Sequence, residues 1–404
     1  MFTETHQFEP LLPADADLEL LLGKAHELSR AATLLAGTRA PSELRALLRS
    51  MNSYYTNRIE GHHTRPHEID QALRKDFSKD AKLAANQRLA VAHIEAELAL
   101  EQRYVGGDAA RGLYATDAVQ VMHQELFGRL PPQDLMTDEG EPIVPGQLRQ
   151  QEVKVGQHVA PAFASVPAFL HRWANFYGGV RRGEAALVAL ACAHQRLGWV
   201  HPFIDGNGRV MRLHTHTLLS VLGYTGGLWS PLRGFARSTE RYDALLADAD
   251  SLRRGDLDGR GNLSQQALIA WADYVLAVCR DQVSFMGSML DFQTLLPRLQ
   301  ACLVFESTVV KSGVRQESLR GLHYLFLSGE DMSRGDFKSM LGVSDRAATD
   351  ALGALVKRGL LKSDTPQGKV RFGLPQHALR FLFPSLWPEA EADAASTMHR
   401  RSTC

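Results

Sequence analysis

The densest run of chemically able side chains in this 404-residue chain is His201-Pro202-Phe203-Ile204-Asp205-Gly206-Asn207-Gly208-Arg209-Val210-Met211-Arg212. His201 carries an imidazole that can take up a proton near neutral pH. Asp205 is a hard carboxylate of the kind that holds Mg²⁺ beside phosphate oxygens. Gly206-Asn207-Gly208 is a turn able to adopt positive φ, so successive backbone N–H groups can converge into an anion nest. A helix opening at about Arg209 adds its free N–H groups and the positive end of its dipole. Arg209 and Arg212, three residues apart, are neighbours on one helical face and supply forked cationic donors for phosphate. Each feature alone has an ordinary explanation as a turn, a cap or a solvated face. Gathered within twelve residues, they describe a phosphate-transfer site.

The flanking sequence supplies the elements that must hold these groups. Pro202 ends a preceding helix over 184–199, which is nearly all apolar and so reads as buried on most sides. Upstream, Pro41-Ser42 opens an amphipathic helix with Leu44, Leu47, Leu48, Met51 and Tyr55 at steps of three and four. It leads into Thr56-Asn57-Arg58-Ile59-Glu60-Gly61, where Gly61 is suited to a left-handed cap. Residues 81–101, 116–126 and 166–177 are further helices. The single ribbon pattern before the C-terminal region is 151–159, with Val153 and Val155 alternating with charged or small residues. A long helical run over 263–303 gives way to a boundary near 303–315.

Beyond that boundary the pattern changes. Residues 333–361 read as two short helices with Ser333 and Ser344 as N-caps and Gly342 in the turn between them. Phe337, Met340, Leu341, Val343, Ala348, Leu352, Leu355 and Val356 mark their buried face, and two short strands follow around Pro366-Gln367-Gly368. Residues 311–380 hold twelve Lys/Arg against seven Asp/Glu, an excess that suits phosphate contacts. The residues from 385 on read as a loose tail.

Composition narrows the class. Forty-five Lys+Arg balance forty-five Asp+Glu, so no global charge draws the chain to nucleic acid or membrane. Cys192, Cys279, Cys302 and Cys404 are far apart with no CxxC pair, against a disulfide framework or Cys-rich zinc site. No apolar run approaches the roughly 18 residues of a membrane span, and the first residues lack the pattern of a signal peptide. A cytoplasmic location is expected. Residues 256–262 echo a calcium loop but lack its closing Glu, and His62, His63, His67, His214 and His216 have no further ligand pattern.

HPFIDGNGRVMR resembles HxFx[D/E]GNGRxxR, the signature of Fic-domain proteins, at every specified position. The stretch 146–158 is similar to that family's flap, and 237–250 to its helix after the motif. The resemblance implies a helical core that binds ATP and Mg²⁺ and transfers AMP to a protein hydroxyl. His201 would be the general base, Phe203 a structural anchor, and Asp205 the Mg²⁺ ligand. Gly206, Asn207, Gly208 and Arg209 would grip the phosphates, the Asn207 side chain included. Arg212 would reach the γ-phosphate and Tyr242 would lie near the adenine. Thr56 to Gly61 resembles the family's inhibitory motif [S/T]xxxE[G/N], which implies that Glu60 pairs with Arg212 and blocks productive γ-phosphate placement. The same glutamate serves a reverse, AMP-removing activity in some relatives. Residues 333–372 resemble a winged helix-turn-helix.

The expected fold is therefore mainly α. A Fic helical core with a short β-hairpin flap precedes a small α+β winged-helix domain. The expected divisions are 1–109 (an N-terminal helical region with the inhibitory helix), 110–280 (the catalytic core), 281–310 (a connecting helix), 311–384 (the winged helix) and 385–404 (the tail). Expected partners are a target protein with a Ser, Thr or Tyr hydroxyl, a second copy of the chain, and DNA or protein at the winged helix, but no membrane. Two readings remain beside the autoinhibited adenylyltransferase: a nucleotide-sensing DNA-binding regulator, and transfer of another phosphate-linked group such as UMP or phosphocholine.

Overall fold

A computed structural model describes residues 2–180, 183–384 and 386; the expected tail, apart from Leu386, lies outside the described residues. The chain divides into two compact units. One holds residues 1–36, 52–64 and 68–284, and the other 37–51, 65–67 and 285 onward. No helix among the described residues is long and apolar enough to cross a membrane.

The helices up to residue 284 run α1 (Asp15–Ala36), α2 (Ser42–Ile59), α3 (Pro66–Leu73), α4 (Ala81–Arg103), α5 (Ala109–Leu113) and α6 (Ala118–Phe127). They continue as α7 (Val166–Tyr177), α8 (Gly183–Val200), α9 (Asn207–Val221), α10 (Leu232–Arg237), α11 (Thr239–Asp248) and α12 (Gln265–Met289). From residue 52 on, α2 belongs to the first unit. Between α6 and α7, strands β1 (Lys154–Val155) and β2 (His158–Val159) pair antiparallel, Lys154 opposite Val159.

The first unit is organised around α8, which packs against α1, α7 and α9. Its apolar sequence leaves no face for solvent: Leu187, Val188, Leu190, Trp199 and Val200 are all buried. Removing each such side chain from water contributes about 1.5–3 kcal/mol. Three polar side chains are buried with them, and each is satisfied, as burial requires. His194 bonds Thr215 Oγ1 (2.7 Å) and Tyr242 Oη (3.0 Å). Gln195 donates to Asp250 (2.7 Å), and Arg196 donates to the carbonyls of Pro10 and Ala249. This fixed rod delivers His201 at its C-terminal end.

The second unit contains α13 (Phe292–Val304), α14 (Leu319–Ser328), α15 (Arg334–Met340) and α16 (Asp345–Lys357). The strands β3 (Leu361–Lys362) and β4 (Arg371–Phe372) and the helix α17 (Gln376–Leu382) complete it. Ser333 and Ser344 cap their helices by accepting from the N–H groups of Asp336 (3.1 Å) and Ala347 (3.4 Å). Gly342 takes φ +65° in the turn between them. Met332 and Val370 exchange backbone bonds of 2.9 and 2.8 Å, adding a third segment beside the β3–β4 ribbon. Phe337, Leu341, Ala348, Leu352 and Leu355 are buried as expected, whereas Met340, Val343 and Val356 are only half-buried.

One expectation is corrected. The apolar run over 263–303 is not one helix but α12 and α13, separated at Leu290-Asp291. Asp291 adopts an extended conformation and its carboxylate accepts from Gln293 N (2.7 Å), so it starts a new helix.

Candidate active site

The junction between α8 and α9 forms the site. Val200 ends α8, and His201 turns the chain with φ +48°, a left-handed conformation that costs a non-glycine residue energy and is tolerated where surroundings enforce it. Arg149 enforces it. Its buried guanidinium donates to the carbonyls of His201 (2.7 Å), Gln151 (2.9 Å) and Pro161 (2.5 Å). The flap is held to the same junction by His158 on β2, whose Nε2 bonds the carbonyl of Trp199 at 2.8 Å. Burial first, then the positive charge of Arg149, depresses the His201 imidazole to about 4. At neutral pH the ring is uncharged and free to accept a proton.

The loop between His201 and α9 is locked from both sides. Phe203 is fully buried and stacks on His123 of α6 with ring centroids 4.0 Å apart; His123 stacks in turn on Phe127 at 4.5 Å. His123 Nδ1 accepts from Gly146 N (2.8 Å), so its Nε2–H is the donor to the carbonyl of Asp205 (3.2 Å). Asn207 folds back, its Oδ1 accepting from Phe203 N and its Nδ2 donating to Phe203 O, both at 2.9 Å. The Asn207 side chain thus pins the loop. Gly206 has φ +80° and lies so close to Phe127 that any Cβ would collide with the ring.

The α9 N-terminus then presents its arginines. Arg209 is buried, lies 5.1 Å over the Phe127 ring and pairs with Asp205 at 3.2 Å. Its Nε has no hydrogen-bond partner. An unmatched buried guanidinium donor is costly, and an anion would remove that cost. Asp205, 37% exposed, accepts both its side-chain bonds, from Gly206 N and Arg209, on Oδ1, leaving Oδ2 for a cation. A cavity of about 410 Å³, lined among others by Phe127, Ile204, Asp205, Arg209, Glu60 and His62, opens beside these groups. The donor set of carboxylate, free guanidinium N–H and helix N-terminus fits Mg²⁺ with a phosphate chain.

Arg212, one turn further on, is fully engaged. Its Nε donates to Thr56 Oγ1 (2.8 Å), its Nη2 to the Thr56 carbonyl (3.3 Å) and to the Glu60 carboxylate. Burial opposes ionisation of Glu60, but the charges of Arg212 and then Arg209 outweigh it and hold the carboxyl below the ordinary range. The carboxylate sits where a Cβ on Gly208 would be, so the glycine makes room for it. Gly61 (φ +77°) ends α2, with Gly61 N bonded to Arg58 O (3.0 Å) and His62 N to Asn57 O (2.9 Å). The cap and the clamp are one device: Gly61 stops the helix so that Glu60 faces α9.

Tyr242 is buried, bonds His194 through its hydroxyl and also hydrogen-bonds Arg212, supporting the arginine from behind. Arg149, His158 and His123 were not identified from sequence; each works through a partner more than 20 residues away, and none belongs to the short signature.

Residues 114–219 match the model of the Fic/DOC family. They form a Fic domain. Among curated relatives, protein adenylyltransferase Fic of Drosophila mojavensis is 29% identical over 127 residues, and that of Drosophila ananassae 38% over the same length. Each match takes in 31% of this chain, and the chain spans about a quarter of the relatives' length (23% and 24%). A Fic family protein from Desulfovibrio desulfuricans G20 has a similar fold, with TM-score 0.52 and 17% identity over 91% of this chain and 99% of its own. The site residues from His201 to Arg212 all lie within the Fic domain, whereas Thr56 and Glu60 reach it from outside the matched residues.

Proposed function

We propose that this protein is an autoinhibited protein adenylyltransferase, moving AMP from ATP to a Ser, Thr or Tyr hydroxyl of a target protein. The observation that carries the reading is the Fic-domain junction itself: an uncharged His201 beside a flap, an unmatched Arg209 donor and a helix N-terminus. The relatives named protein adenylyltransferase Fic support it at the level of reaction class.

In this reading the target hydroxyl, laid along the flap, attacks the α-phosphorus of ATP. The bond to the β-phosphate oxygen breaks, pyrophosphate leaves, and the hydroxyl proton passes to His201. Such a transition state needs positioning and charge neutralisation more than covalent help. Arg149 and His158 fix the base and the flap together, while Arg209 and the α9 N–H groups receive the phosphates. Asp205 would hold Mg²⁺, which supplies charge neutralisation on the phosphate oxygens. Arg212 is the donor left for the γ-phosphate, and Glu60 occupies it. A carboxylate fork competes directly with a phosphate fork, so one ion pair keeps the enzyme off.

The C-terminal helices and ribbon support a winged-helix reading, a module that takes either DNA or a protein as partner. Among its cations, Arg371 and Lys362 pair with Glu43, Arg358 with Glu306 and Lys338 with Asp345.

The test is transfer of α-phosphate label from ATP and Mg²⁺ to protein by wild type, Glu60→Gly and Glu60→Gly/His201→Ala. Label weak in wild type, strong in Glu60→Gly and lost in the double variant is expected. No label in any variant that still binds ATP would contradict the reading and point to another donor or a nucleotide sensor.

A further inference from the structure

Behind the active site, α4 and α9 pack against each other and bury a second polar cluster. His93, Glu97 and Glu101 fall at i, i+4 and i+8 of α4, one stripe of the helix. From α9 comes His216, one turn beyond Arg212. The ligand atoms of Glu97, Glu101 and His216 all lie within 4.8 Å of one another, and Glu97 and His216 are buried. His216 Nε2 approaches Glu97 Oε1 at 3.2 Å.

Asn52 on α2 donates its side-chain N–H₂ to Glu97 Oε1 (3.0 Å) and Oε2 (3.2 Å). That is how outer partners orient a ligating carboxylate. An independent observation points the same way. His93, 1% exposed and one turn before Glu97, has no hydrogen-bond partner on either ring nitrogen. A buried imidazole with both nitrogens unmatched is costly, and a water on an ion held beside His216, whose charge His93 feels, is a partner that removes the cost.

We propose that Glu97, Glu101 and His216 bind one divalent transition-metal ion, with His93 as a partner to a water bound to it. Two carboxylates and one imidazole select Zn²⁺ or Mn²⁺ over Mg²⁺ and Ca²⁺, which prefer all-oxygen shells. The ion braces α4 to α9. Through Asn52, one turn ahead of Thr56, it also steadies the part of α2 that carries the inhibitory clamp.

The test uses the full chain without an affinity tag, stripped with chelator and titrated separately with Zn²⁺, Mn²⁺ and Mg²⁺. Bound metal is counted by elemental analysis after gel filtration, and the thermal midpoint is followed in parallel. One equivalent of Zn²⁺ or Mn²⁺ and a raised midpoint are expected, with Mg²⁺ giving neither. Glu101→Gln, at the half-buried end of the stripe, should lose the ion while keeping its helical circular dichroism. Asn52→Ala should weaken binding by about tenfold, and Asp205→Asn should leave it unchanged. Well under one equivalent in wild type, or full retention in Glu101→Gln, would overturn the assignment. Loss in Asp205→Asn would place the ion in the active site instead.

Discussion

Arg209 and Arg212 sit three residues apart on one helix, yet their surroundings are opposite. Arg209 borders an open cavity, pairs loosely with Asp205 and keeps an unmatched N–H. Arg212 is sealed, with Thr56, Glu60 and Tyr242 all bonded to it. The first is a donor set waiting for an anion, and the second is a donor set already supplied with one. In the proposed reading, inhibition requires no distortion of the loop from His201 to Asn207: a single carboxylate from α2 occupies Arg212.

The largest expected effect breaks the open side. In a Glu60→Gly background, His201→Ala should lower the transfer rate by about 10²–10⁴-fold, the usual contribution of a positioned general base, measured as initial rates of label incorporation. Next comes the closed side. Glu60→Gly alone should raise the rate by about 10–10²-fold, since a hydrogen bond between charged groups contributes about 1.5–3 kcal/mol and each 1.36 kcal/mol is tenfold in rate. Thr56→Ala removes one hydrogen bond to Arg212 but leaves Glu60, so a smaller activation of about fivefold is expected from about 1 kcal/mol. Tyr242→Phe strips one partner from both His194 and Arg212, and should cost about 1–3 kcal/mol in urea unfolding.

The smallest effect is a pH dependence. Because burial and Arg149 depress His201 to about 4, the base stays uncharged above that value. The Glu60→Gly rate should be nearly level from pH 8 to pH 5.5 and fall only toward pH 4. A fall through the ordinary imidazole range near 6.5 would mean that His201 is not held as described.

The contrast between the two arginines was partly legible in the sequence. The His201–Arg212 spacing announces the loop and the anion nest because every residue involved is local. Glu60 was legible as the mate of Arg212 through the resemblance of its motif, although 152 residues separate them. What could not be read was the support. Arg149 meets the His201 carbonyl across 52 residues and His123 meets that of Asp205 across 82, through bonds to backbone carbonyls that select no particular partner side chain. The bonds of Asn207 back to Phe203 and of Tyr242 to His194 and Arg212 likewise leave no local mark. The break at Asp291 has no signal in the apolar periodicity, which resumes after it; the cap bond to Gln293 marks it.

The claim that Glu60 competes with the γ-phosphate for Arg212 is tested most directly by titrating ATP and ADP, with Mg²⁺, into wild type and Glu60→Gly. Both nucleotides should bind wild type with similar affinity, because Arg212 is occupied. Glu60→Gly should prefer ATP over ADP by about tenfold, the worth of one recovered charged hydrogen bond. An ATP-to-ADP ratio that is the same in both proteins would contradict the account.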